Sequence, residues 1–160
     1  MASAREVATV GYQAATVDTF LEVLAEHRVE LLVDIRAVAS SRRPGFAKSA
    51  LAANLHGAGI EYLHLRGLGT PAEGRAAARA GRHAEMREIF QRHLATQSAR
   101  AELEALADIV RSGRRVCLLC LEADPTHCHR SLVANALATM VPLRVNHLAP
   151  GRDIGQEETF

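Results

Sequence analysis

Only six aromatic residues occur in the chain, lysine appears once, at Lys48, and no uninterrupted apolar run approaches the ~20 residues that cross a bilayer. The missing run excludes a membrane-spanning helix, and no membrane partner is expected. The start of the chain, Met1 to Glu6, is polar and leads into a short apolar segment without a signal core, so a cytoplasmic location is expected. Few aromatics and a formal charge of +1 disfavour an extended nucleic-acid surface, which needs a broad basic face and stacking rings. A compact nucleotide pocket escapes that objection. Also absent are Gly-x-Gly-x-x-Gly, Gly-x-x-x-x-Gly-Lys and Gly-x-Ser-x-Gly. NAD and ATP therefore lack their usual cradles, a serine nucleophile lacks its elbow, and no cofactor is expected. The three cysteines, an odd number, lie close together, which suits thiol or metal chemistry better than a disulfide framework.

What is present is an alternation of apolar strands with amphipathic helices. Val7 to Gly11, Glu30 to Ile35, Ile60 to Leu65, Arg115 to Leu121 and Leu143 to Leu148 read as strands. Helices are expected over Thr16 to Glu26, with Thr16 as cap, over Ala47 to His56, near His83 to Ala95 and Ala99 to Arg111, and from Cys128 or His129 to about Met140. Thr70 to Gly81 is rich in alanine and arginine, shows no apolar stripe, and reads as a lid. The expectation is one α/β domain over residues 1–160, a three-layer fold with a mostly parallel sheet and helices on both faces. In such sheets ligands bind outside the carboxyl ends of the strands. The loops there carry Gly11 and Tyr12, Asp34 and Arg36 with Arg42 and Phe46, His64, and the segment Cys120 to Arg130. Gly11, Asp34 and Cys120 should therefore share one edge of the sheet.

These residues also carry a resemblance. Val10-Gly11-Tyr12, Asp34-Ile35-Arg36 with Ser41-Arg42 and Phe46, Ile60 to Leu65 with Leu68-Gly69, and above all Cys120-x-Glu122-x-x-Pro125-x-x-Cys128-His129-Arg130 are similar to the domain-of-unknown-function family 488. The similarity spans about residues 7–148. It implies a compact α/β domain with these motifs as its site and implies no activity. The family pattern has a proline where this chain has Ala39.

The Cys-His-Arg segment admits three readings. In the first, Cys128 in the opening turn of a helix gains thiolate character from free amides, the helix dipole, His129 and Arg130. In the second, Cys120, His127, Cys128 and His129 hold a metal, although Cys120 and Cys128 do not form a compact Cys-x-x-Cys knuckle and no second ligand pair occurs elsewhere. In the third, Asp124-Pro125-Thr126 turns the chain, and Cys117 and Cys120 are small strand residues of the core. Weight falls on the first, and no metal ligand is assigned. Cys128, Glu122 and Asp34 are the candidate catalytic residues, Cys128 as the most reactive thiol and a carboxylate as proton carrier. Gly11, Tyr12, Arg36, Arg42, His64, His129 and Arg130 are the candidate ligand-binding residues, the arginines receiving a phosphate through their forked N–H groups. The expected partner is a small anionic ligand, a phosphorylated metabolite or a nucleotide. The alternatives are a nucleotide or nucleic-acid binding module without catalysis and a Cys/His metal protein.

Overall fold

A computed structural model describes residues 4–151. The ends of the expected domain, residues 1–3 and 152–160, lie outside the described residues. Among the described residues, five strands form one sheet: β1 (Arg5–Gly11), β2 (Leu31–Asp34), β3 (Glu61–His64), β4 (Val116–Cys120) and β5 (Leu143–Leu148). Their order is β3-β2-β4-β1-β5 and every pairing is parallel. Six α-helices connect them: α1 (Val17–Glu26), α2 (Lys48–Gly57), α3 (Ala72–Arg79), α4 (His83–Leu94), α5 (Gln97–Arg111) and α6 (Arg130–Ala138). Among the described residues, no helix is long and apolar enough to cross a membrane.

The strands are apolar on both faces, as a sheet covered by helices on each side requires. Successive side chains point to opposite faces, so alternate residues enter different clusters. Leu32, Cys117 and Leu119 join Phe20 and Leu24 of α1 and Leu51 and Leu55 of α2. Leu31, Val33, Val116 and Leu118 join α4, α5 and α6 through Phe90, Leu103, Leu106 and Val133. Thr16 caps α1 as expected, its hydroxyl accepting from the Thr19 amide at 3.1 Å.

Two local expectations are revised. Residues 72–79, read as part of a lid without an apolar stripe, form helix α3, which packs on α4 through small residues. A Cβ at Gly74 would lie 2.5 Å from Thr70 Cγ2 and 3.3 Å from Ile89 Cγ2, so glycine permits that approach. The last helix begins at Arg130 with His129 as its N-cap. Cys128 thus stands just before the first turn, closing a 3₁₀ turn over Pro125–His127.

Candidate functional site

Connections leaving β1 and β2 cover one face and those leaving β3 and β4 cover the other, so β4 lies between two strands, β2 and β1, whose connections leave toward the opposite face. Reversals of this kind open a crevice at the carboxyl ends of the strands. Gly11 and Cys120 are paired there, and Asp34 pairs with Leu119 one residue away, which puts all three at the expected edge. Gly11 is required by proximity: a Cβ would overlap the Glu122 carbonyl and press on Arg130 Nη1 at 2.8 Å.

Arg130 lies in that gap with no solvent exposure. Its Nε donates to Thr9 Oγ1 at 3.0 Å, Nη1 to the Glu122 carbonyl and toward Cys120 Sγ at 3.5 Å, and Nη2 to the Ala123 carbonyl at 3.2 Å. Burial lowers its pKa to about 10, with the neighbouring Cys117, Asp124 and Glu122 opposing the shift. The side chain braces the loop after β4 from beneath, and its N–H groups are largely taken by protein acceptors.

A second buried network centres on Asp34. Its carboxylate accepts from Arg36 Nε at 2.8 Å, Arg36 Nη2 at 2.7 Å, the Arg36 amide at 3.1 Å and Tyr62 Oη at 2.6 Å. Arg36 Nη1 reaches Tyr12 Oη at 3.2 Å and the Phe46 carbonyl at 2.8 Å, and Tyr12 stacks on Phe46 with centroids 4.6 Å apart. Burial works against the Arg36 charge, yet the contacts with Asp34 and Tyr12 outweigh it and raise its pKa. Burial, followed by the hydrogen bond to Asp34, raises the pKa of Tyr62. His64 Nε2 donates to the Arg36 carbonyl at 2.7 Å, since a carbonyl can only accept.

Above these networks lies a cleft of about 200 Å³. Cys120, Cys128 and His129 form one wall, Tyr12 and Arg36 lie at its floor, and Ser40, Glu122 and His127 at its rim. Arg75, Arg79 and Met86 close it from the α3–α4 hairpin, with Thr70 in the loop just before α3. Cys120 and Cys128 are joined as a disulfide, with Cα atoms 7.2 Å apart. His129 Nε2 donates to the Ile35 carbonyl at 2.7 Å, and its ring lies edge-on to Phe90, centroids 5.1 Å apart. The proton is therefore on Nε2, and Nδ1, 3.6 Å from Cys128 Sγ, has a free lone pair. Burial lowers the His129 pKa to about 4, the Ile35 contact opposing it. Cys117 is remote from this chemistry: it is wholly buried in β4, and burial pushes its thiol up.

Of the candidate residues read from the sequence, Tyr12, Arg36, Glu122, Cys128 and His129 line the cleft. Gly11, Asp34 and Arg130 support it from behind. His64 holds the β2 loop, and Arg42 is exposed away from the lining. His127 is also exposed at the rim, its ring stacked on His83 of α4 at 4.2 Å. Sequence reasoning did not put Arg75 and Arg79 in the site. Their spacing of four on one helix face was the available signal, since such residues are neighbours on a helix surface.

A family profile described as "Domain of unknown function DUF488" matches residues 16–137, most of the chain. Neither the curated proteins nor the solved structures contain a match.

Proposed function

The chain belongs to the DUF488 family, and from that premise we propose that it is a cysteine-dependent enzyme acting on a small anionic substrate in the cleft between the β1, β2 and β4 loops. The observation that carries this reading is the contact of two cleft-wall sulfurs, Cys120 and Cys128, beside arginines that face the same space. Arg79 and the remaining N–H groups of Arg75, whose Nη1 donates to the Thr70 carbonyl at 2.9 Å, take the anion-holding role, because Arg36 and Arg130 are more fully committed to Asp34, Tyr12 and backbone carbonyls. Phosphate is the anionic group to try first, given the fit of guanidinium to its oxygens.

The chemistry follows from paired sulfurs. In the reduced protein one thiolate attacks an electrophilic sulfur on the substrate, whose bond to its leaving group breaks and releases that group as a thiol carrying a solvent proton. The second cysteine then attacks the mixed disulfide, closes the Cys120–Cys128 bond and releases the remaining fragment as a second thiol. Two electrons pass from the protein to the substrate, and an external thiol reductant reopens the pair. Arg130 Nη1 near Cys120 Sγ favours the thiolate there, and Glu122 at the rim is available to carry the proton.

The test is alkylation of reduced, metal-free protein at limiting reagent, comparing iodoacetate with iodoacetamide and locating the label by mass spectrometry. Cys120 or Cys128 should label well before Cys117, with a preference for the anionic reagent. The double variant Arg75→Ala/Arg79→Ala should lose that preference several-fold while keeping its rate with the neutral reagent. Equal labelling of Cys117, or an unchanged preference in the variant, refutes the reading.

A further inference from the structure

One group of His, Cys and carboxylate side chains among the described residues offers donor atoms that all lie within 4.8 Å of one another: Cys120, Cys128 and His129. All three residues are buried, at 1 %, 5 % and 7 % exposure. We infer that the reduced protein binds one thiophilic divalent ion of the zinc class at Cys120 Sγ, Cys128 Sγ and His129 Nδ1, with a fourth position open to the cleft.

Three observations point this way, and none requires the enzymatic reading above. The imidazole is prepared as a ligand: Nε2–H is committed to the Ile35 carbonyl, Phe90 fixes the ring plane, and Nδ1 is left facing the sulfurs. A hydrogen bond from the other ring nitrogen to a carbonyl is what metal-ligating histidines use to set tautomer and orientation. The charges also balance, because two thiolates neutralise a divalent ion. The spacing fits as well. One donor atom from each of the three residues lies within 4.8 Å of the others, close to what bonds of about 2.0–2.3 Å to a single zinc ion span. Two sulfurs and one nitrogen form a borderline-soft donor set that suits zinc better than magnesium or calcium. Three protein ligands with an open position facing a cleft is the arrangement of catalytic rather than structural zinc. The bonded pair and the ion exclude each other, so oxidation of the two cysteines by a small-molecule disulfide, which accepts the two electrons and leaves as two thiols, expels the metal.

The experiment is anaerobic titration of reduced, metal-stripped protein with cobalt(II), then displacement by zinc(II) against a chromophoric chelator. One equivalent should bind, with sulfur-to-cobalt charge transfer in the near ultraviolet and the intense visible bands of a tetrahedral centre. Cys120→Ser, Cys128→Ser and His129→Ala should each weaken zinc at least ~10-fold, while His127→Ala should leave it unchanged. If those ligand variants fail to fold, wild-type protein oxidised to the Cys120–Cys128 disulfide serves instead and should take up no metal. Absence of stoichiometric uptake, absence of the sulfur charge-transfer band, dependence on His127, or equal uptake by oxidised protein overturns the inference. The two proposals fail separately: reactive metal-free thiols without metal uptake remove only this one, and metal uptake with inert metal-free thiols removes only the thiol enzyme.

Discussion

Arg130 shows at the scale of one residue how much a motif can and cannot say. Its place in Cys-His-Arg marked it for the site, and the charge suggested an anion holder. Its actual partners are the Thr9 hydroxyl and the carbonyls of Glu122 and Ala123, and backbone acceptors have no signature in a side-chain pattern. The same limit applies to Asp34. A carboxylate ending an apolar strand is costly unless paired, and Asp34 is paired with Arg36, with Tyr62 as a third member that the sequence did not announce. Gly11 was legible as a strand end, but not as the residue that lets Arg130 and the Glu122 carbonyl close over β1. Gly11→Ala should therefore destabilise the fold by about 1–3 kcal/mol, the usual cost of forcing atoms into a packed site. It should also raise the alkylation rate of Cys128 relative to Cys117 by loosening the loop. Chemical denaturation and site-resolved labelling measure the two effects, and an unchanged midpoint refutes the packing argument.

Elements with an apolar period were readable, and those without one were not. The strands and helices α1, α2, α4 and α5 stand within two or three residues of their expected limits, because alternation and 3.6-residue spacing record which face is covered. Helix α3 buries only small residues, Gly74 and Ala77, against α4, so hydrophobicity gave no stripe to detect. The turn over Pro125–His127 was legible in its chemistry, since Asp124 Oδ1 accepts from the Thr126 amide at 2.9 Å and its hydroxyl at 2.7 Å. Those bonds, the hydroxyl first, lower the Asp124 pKa below its ordinary 3.8. The cap is thus complete above the ordinary carboxylate range and is lost as pH falls through the lowered value. Thr126→Ala removes the larger cause, so the Asp124 midpoint should move up toward 3.8 in a carboxyl NMR titration. A midpoint unmoved by the substitution would show that the hydroxyl does not hold the charge.

At the scale of the whole molecule, two apolar clusters lie on opposite faces of the same strands and share β1, β2 and β4 between them. Neither face can lose its helices without exposing the sheet that supports the other. We expect one urea transition, with tyrosine fluorescence from the α1–α2 face and far-ultraviolet circular dichroism, dominated by the other four helices, giving coincident midpoints. Separated midpoints would mean that the faces unfold independently. The strand order also has a meaning in time. Among the five described strands, the earliest in the chain, β1, pairs only with the two latest, β4 and β5. At roughly 5–20 residues per second, β1 waits on the order of ten seconds with both edges bare. Until β4 emerges, the nascent chain can pair only β2 with β3, and the crevice holding Cys120 and Cys128 does not yet exist. An apolar strand unpaired for that long is a natural substrate for a holding chaperone, and synthesis halted before β4 would leave a sticky fragment, not a partly working one.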